Sequence, residues 1–168
     1  MDQDDEVLRD YYWLGLLNRA EEYLAAAATL RKANPSADKL PEPVYFLYFH
    51  AIELLLKAGL AANGLSARQI KDQAHNLVAL QTKLEKFGIN FSDAERELIA
   101  SIKQERGQTA TRYYPDAEAG NWITRPKARH LHQVSTTMFG RLARSAFKAT
   151  HTSMPAHYAG ALERLTEE

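Results

Sequence analysis

Apolar residues along this chain recur at steps of three and four rather than two, the spacing of amphipathic helices. From about Asp4 to Ala33, the residues Trp13, Leu16, Ala20, Tyr23, Ala27 and Leu30 form one continuous apolar seam. Asn34-Pro35 stops it, because the residue before proline avoids the helical conformation. After a loop over 34–41 comes the most apolar stretch, residues 44–62, in which His50, Glu53 and Lys57 are the strongly polar side chains. Their spacing of three and four places them in one stripe on a helix. A helix apolar nearly all round belongs at the centre of a bundle. Its polar stripe must face solvent, a partner or a polar pocket, since burying unpaired charge is costly. Pro43 suits the first turn of this helix, and Asn63-Gly64 makes a left-handed cap.

The rest of the chain continues in the same way. Ser66 and Gln69 have the spacing of a capping box over one helical turn ending at Lys71. Asn76 caps the next helix, with Leu77, Leu80, Leu84 and Phe87 as its seam and Gly88 as its end. Ser92 and Glu95 form a second capping box, followed by the apolar face Leu98, Ile99 and Ile102 and a stop at Gly107. Residues 107–124 are the longest irregular segment, and loops of this length inside a domain are often functional. Thr124 and Pro126 then read as cap and first-turn residue of a long helix with Leu131, Val134, Met138, Leu142, Ala146 and Ala149 inward. A break at Thr152-Ser153 precedes a short last helix opened by Pro155, with Tyr158, Leu162 and Leu165 inward. No stretch alternates as a strand would. The pattern predicts an all-α fold: a single up-and-down helical bundle over 1–168, with four to five main helices in a core of about 4–149 and a short C-terminal helix over about 155–166.

Composition narrows the function. Twenty-one basic and twenty-one acidic side chains leave a formal net charge of zero, which argues against tight non-specific binding to a phosphate backbone. The absence of cysteine excludes disulfides and thiolate chemistry. The acidic start Met1-Asp2-Gln3-Asp4-Asp5-Glu6 lacks the basic and apolar run of a signal peptide. Residues 44–62 are about long enough to span a bilayer, but three polar groups at their middle favour a buried helix. The expectation is a cytoplasmic protein with no membrane partner.

Three places could carry chemistry. Glu53 precedes Lys57 by four, the favourable order for a helical ion pair. The plain reading is a solvated pair at the bundle edge with His50 packed beside it; the rival is a polar pocket or dimer surface that binds a nucleotide or a partner. In the 107–124 loop, Arg112, Tyr113, Tyr114 and Asp116 surround Pro115. Arginine beside tyrosines can grip a phosphate and stack a base; equally, the tyrosines could plug the bundle end while Arg112 pairs with Asp116. The third place is the basic helix start Arg125, Lys127, Arg129, His130 and His132, where a helix N-terminus favours anions, against a merely solvated first turn. Metal is not expected: no Glu-x-x-His or His-Glu-x-x-His occurs, and His130 and His132 point apart on a helix. No cofactor is expected.

The segment Tyr45-Phe46-Leu47-Tyr48-Phe49-His50-Ala51-Ile52-Glu53-Leu54-Leu55-Leu56-Lys57-Ala58 resembles the second helix of HEPN domains, the higher-eukaryote and prokaryote nucleotide-binding family. Those domains often carry an Ala-x-Glu-Leu-x-Leu-Lys-Ala core, which Ala51–Ala58 fits. Ala74-His75-Asn76-Leu77 is similar to the His-Asp/Asn-Leu opening of the family's third helix. Arg112-Tyr113-Tyr114-Pro115-Asp116 is similar to the Arg-Tyr-Pro segment before the last long helix of some members. The three segments occur in family order.

The resemblance implies a bundle of four or five helices, frequently a homodimer. Family members include metal-independent ribonucleases of toxin–antitoxin and defence systems, nucleotide binders, and non-cleaving partners of minimal nucleotidyltransferases. The ribonuclease signature is Arg, four to six residues, then His, on a late helix. Arg68–His75, Arg125–His130, Arg125–His132 and Arg144–His151 have that spacing, but roughly one match is expected by chance. Arg68–His75 lies too early, Arg125 is followed by proline instead of a small polar residue, and His151 falls at a helix end. Arg125 and His130 fit best as a catalytic pair.

The leading expectation is a HEPN-like bundle that binds a nucleotide, RNA or a nucleotidyltransferase-type protein without catalysis, through His50, Glu53, Lys57, His75, Arg112, Tyr113 and Asp116. One alternative is an endoribonuclease using Arg125 and His130. The other is a purely structural or interaction bundle.

Overall fold

Two helices of 21 residues each form the centre of the molecule: α1, Tyr12–Lys32, and α2, Glu42–Ala62. They pack against each other more extensively than any other pair among the described residues. The structure is a computed structural model that describes residues 11–33, 41–73, 75–104 and 126–166. Five further helices lie in these segments: α3 (Ala67–Lys71), α4 (Leu77–Lys86), α5 (Asp93–Gln104), α6 (Ala128–Ala149) and α7 (Ala156–Thr166). No strand occurs among the described residues. The fold is an all-α bundle, as the spacing predicts.

Helix α2 is the central rod because apolar side chains cover most of its circumference. Tyr45, Tyr48, Phe49, Ile52, Leu56 and Leu60 are all fully buried, each burial contributing about 1.5–3 kcal/mol. It starts from Pro41 with Pro43 in its first turn. It ends where Gly64, at φ +92°, turns the chain so that Leu65 N–H reaches the carbonyl of Leu60 at 3.1 Å. Gly59 allows α4 to approach closely, since a Cβ there would sit 3.0 Å from Leu84 Cδ2. By length and composition α2 could cross a membrane, yet 72% of its apolar window is buried inside the bundle.

Both capping boxes form. Ser66 Oγ accepts from Gln69 N–H while Gln69 Oε1 accepts from Ser66 N–H. Likewise, Ser92 Oγ accepts from Glu95 N–H and Glu95 Oε2 accepts from Ser92 N–H at 2.8 Å. Asn76 Oδ1 caps α4 through Ala79 N–H.

Four details of the predicted seams are corrected. Leu30 is 47% exposed; the buried face of α1 runs through Trp13, Leu16, Leu17, Ala20, Leu24, Ala27 and Ala28, and the next position on it is Arg31. Phe87 is 44% exposed, because α4 ends one residue earlier and Phe87 leaves the helical repeat; Ile89 folds back in its place, its N–H bonded to Leu84. Ala149, the final residue of α6, is exposed. Pro126 is not a first-turn residue either: α6 begins at Ala128 with Lys127 at its cap and no side-chain capping bond, while the Pro126 carbonyl accepts from Tyr45 Oη at 3.0 Å. Thr124, Gly107 and the 107–124 loop lie outside the described residues.

The C-terminal helix α7 closes one side of the bundle. Tyr158 is fully buried between Phe139 and Phe147, with ring centroids 6.5 and 5.3 Å away, and its hydroxyl donates to Asn18 Oδ1 of α1.

Candidate functional site

The polar stripe of α2 faces the connection between α3 and α4. The two helix caps determine the course of this connection: the Ser66–Gln69 box starts α3, and Asn76 starts α4. His75, immediately before that cap, is thereby brought against the stripe 22 positions after Glu53.

Glu53 is the centre of the cluster and is 1% exposed. Its Oε1 accepts from Lys57 Nζ at 2.6 Å and from His75 Nδ1 at 2.9 Å. His50 Nδ1 stands 3.9 Å from Oε2, beyond hydrogen-bonding range but close enough for an electrostatic contact. The His50 ring lies over Phe46, at 5.6 Å and nearly parallel, and edge-on to Tyr23 at 4.5 Å. Burial by itself pushes the Glu53 carboxyl up. His50, Lys57 and His75 together outweigh that burial and hold it down at about 2. Glu53 is therefore ionised at neutral pH. With Lys57 charged, the pair sums to zero before either histidine is counted.

This corrects the plain reading of a solvated surface pair: the carboxylate is interior, and only its partners reach the surface. The Lys57 side chain is 16% exposed and that of His75 64%. The cluster brings together four of the residues singled out from the sequence: His50, Glu53, Lys57 and His75. Arg112, Tyr113, Asp116 and Arg125 lie outside the described residues. Among the described residues no group is arranged to hold a metal ion.

The basic start of the long helix divides in two. Lys127, Arg129 and His130 are exposed, and His130 borders a cleft of about 240 Å³ lined also by Ser92, Glu95, Gln133 and Thr137. His132 is no part of a surface patch. It is 3% exposed, with Nδ1 2.8 Å from Tyr48 Oη and Nε2 3.0 Å from the Leu165 carbonyl. A carbonyl only accepts, so Nε2 carries the proton and Nδ1 accepts from the tyrosine. His132 thus joins α2, α6 and α7.

Two polar features were missed from the sequence. The spacing identifies Glu95 only as a capping residue, yet Arg141 Nη2 of α6 lies 2.9 Å from both its oxygens. Arg141 also stacks over Phe91 at 5.0 Å. The aromatic setting of His50 was also missed. The Arg141 and Tyr23 contacts leave no local signal, since those partners are 46 and 27 positions away, whereas Phe46 stands four residues before His50 on the same helix, a spacing visible in the sequence.

Compared with known proteins, the chain matches no family model, no curated protein and no solved structure.

Proposed function

We propose that this chain is a HEPN-like bundle that binds the phosphate of a nucleotide or an RNA strand at the cluster of His50, Glu53, Lys57 and His75, without catalysis of its own. The observation that carries the reading is the 2.9 Å contact between His75 and Glu53. It joins two of the sequence segments that resemble the family, and it gathers three cation-forming side chains around one buried carboxylate. Lysine and protonated histidine donate charge-assisted hydrogen bonds to phosphate oxygens. In this reading the protein is cytoplasmic and a homodimer, and it works beside a nucleotidyltransferase-type protein in a toxin–antitoxin or defence system.

The test is calorimetric titration of the full chain with nucleotides and short single-stranded RNAs in the presence of a chelator. Binding should occur and should weaken about tenfold or more in Lys57→Gln, the loss of one charge-assisted bond. The fold of the variant is checked by circular dichroism.

A second reading has its own support. Both oxygens of Glu53 face partners from its own chain, as in a clamp that merely fastens the α3–α4 connection to α2. Absence of binding by any nucleotide or RNA would favour that clamp. The ribonuclease reading retains only His130 among the described residues. Metal-independent RNA cleavage lost in His130→Ala would establish it in place of the binder.

A further inference from the structure

The four side chains of the cluster are not equivalent. Lys57 lies 2.6 Å from Glu53, which takes one of its three donors and leaves the others for a ligand oxygen, but its side chain is only 16% exposed. The carboxylate is shielded by its own partners. His50 is held between Tyr23 and Phe46. His75 alone combines a bond to the buried carboxylate with a side chain that is mostly in solvent.

That bond dictates the chemistry of its other nitrogen. An ionised carboxylate only accepts hydrogen bonds, so Nδ1 of His75 must carry a proton. In the neutral imidazole, Nε2 then presents a lone pair, which repels an anionic oxygen. In the protonated imidazole the same atom presents an N–H, which donates to one. Nε2 has no hydrogen-bond partner among the described residues. Resting on the reading of this cluster as a phosphate site, we propose that Nε2 of His75 is a ligand contact, and that it takes the phosphodiester of a nucleic-acid strand only when the imidazole is protonated.

The charge balance agrees with that ligand. Glu53 and Lys57 cancel, so a proton on His75 leaves one net positive charge against the single negative charge of a phosphodiester. The charged groups facing His75 are Glu53 and Lys57 of α2, with His50 acting on the far oxygen of Glu53. Lys71 and Asp72 precede His75 in its own segment.

The experiment uses a single-stranded tetraribonucleotide without terminal phosphates, whose charge does not change across about pH 5 to 8, the span in which imidazoles exchange charge. Calorimetric titration of the full chain near each end of that span should give about tenfold tighter binding at the acid end, the worth of one charge-assisted hydrogen bond. His75→Gln, its fold checked by circular dichroism because His75 also bonds the buried Glu53, should bind equally at both ends. His50→Gln should retain the acid preference. The His75 ring signal in proton NMR should move on adding RNA. A pH preference that survives in His75→Gln, or equal binding by the unmodified chain at both ends, overturns the assignment. The outcomes separate this inference from the reading beneath it: binding that is independent of pH but weakened by Lys57→Gln sinks only the role of His75, whereas no binding at either pH sinks both.

Discussion

Glu53 shows how one side chain can be costly and indispensable at once. Taking a carboxylate out of water is expensive, and its partners must repay that cost with good geometry. Two bonds at 2.6 and 2.9 Å to one oxygen do so here. Because the folded carboxyl titrates at about 2 against an ordinary 4.5, the folded chain holds its proton less readily than the unfolded chain. The stabilisation is complete above pH 4.5 and is lost as the pH falls toward about 2. Its full size is roughly 3 kcal/mol. Urea denaturation followed at several pH values should therefore show stability falling through this window more steeply in the unmodified chain than in Glu53→Gln; parallel curves would refute the assignment. The spacing of Glu53 and Lys57 was plain in the sequence. Its burial was not, because burial depends on the α3–α4 connection lying over the stripe.

The side-chain caps at Ser66, Asn76 and Ser92 were the most legible features, whereas the start of α6 was not. Ser66–Gln69, Asn76 and Ser92–Glu95 all cap as their spacing predicts, since a cap is made within three residues and needs no distant partner. The seams were legible in their middles and failed at Leu30, Phe87 and Ala149, within the last turn or just past it, where helical repeat and core part company. Glu95 spans both regimes: local bonds make it a cap, and Arg141 makes it a cross-link between α5 and α6. Ser92→Ala should cost about 1 kcal/mol, an ordinary cap loss. Glu95→Ala should cost about 2–3 kcal/mol, because a charge-assisted link between helices goes with it. Chemical denaturation of both variants provides the measurement, and equal losses would mean that the Arg141 contact contributes nothing.

At the scale of the whole molecule, the bundle is closed by contacts between distant parts of the chain. His132 links Tyr48 to the Leu165 carbonyl, and Tyr158 reaches Asn18 across 140 positions. Burial is the main reason the Tyr158 hydroxyl is pushed up to about 12, with Glu21 adding to it. His132→Ala removes two buried hydrogen bonds and leaves a cavity, at a cost of about 2–4 kcal/mol. Hydrogen exchange should quicken most in α7, the element that His132 ties down, and less in α1. Uniform quickening across all helices would instead mark His132 as a general core residue.

Helix content, most caps and the central place of α2 could be read from the order of residues because they depend on periodicity and on bonds spanning three or four positions. The family resemblance arises at that same level, as a string of residues. Which polar groups are buried, and with whom, depends on distant segments meeting: His75 on Glu53, Arg141 on Glu95, Leu165 on His132. A histidine looks the same in the sequence whether it is an exposed contact, as His75 is, or a buried strut, as His132 is. What separates them is desolvation and the orientation of two ring nitrogens, and these exist only once the helices have packed.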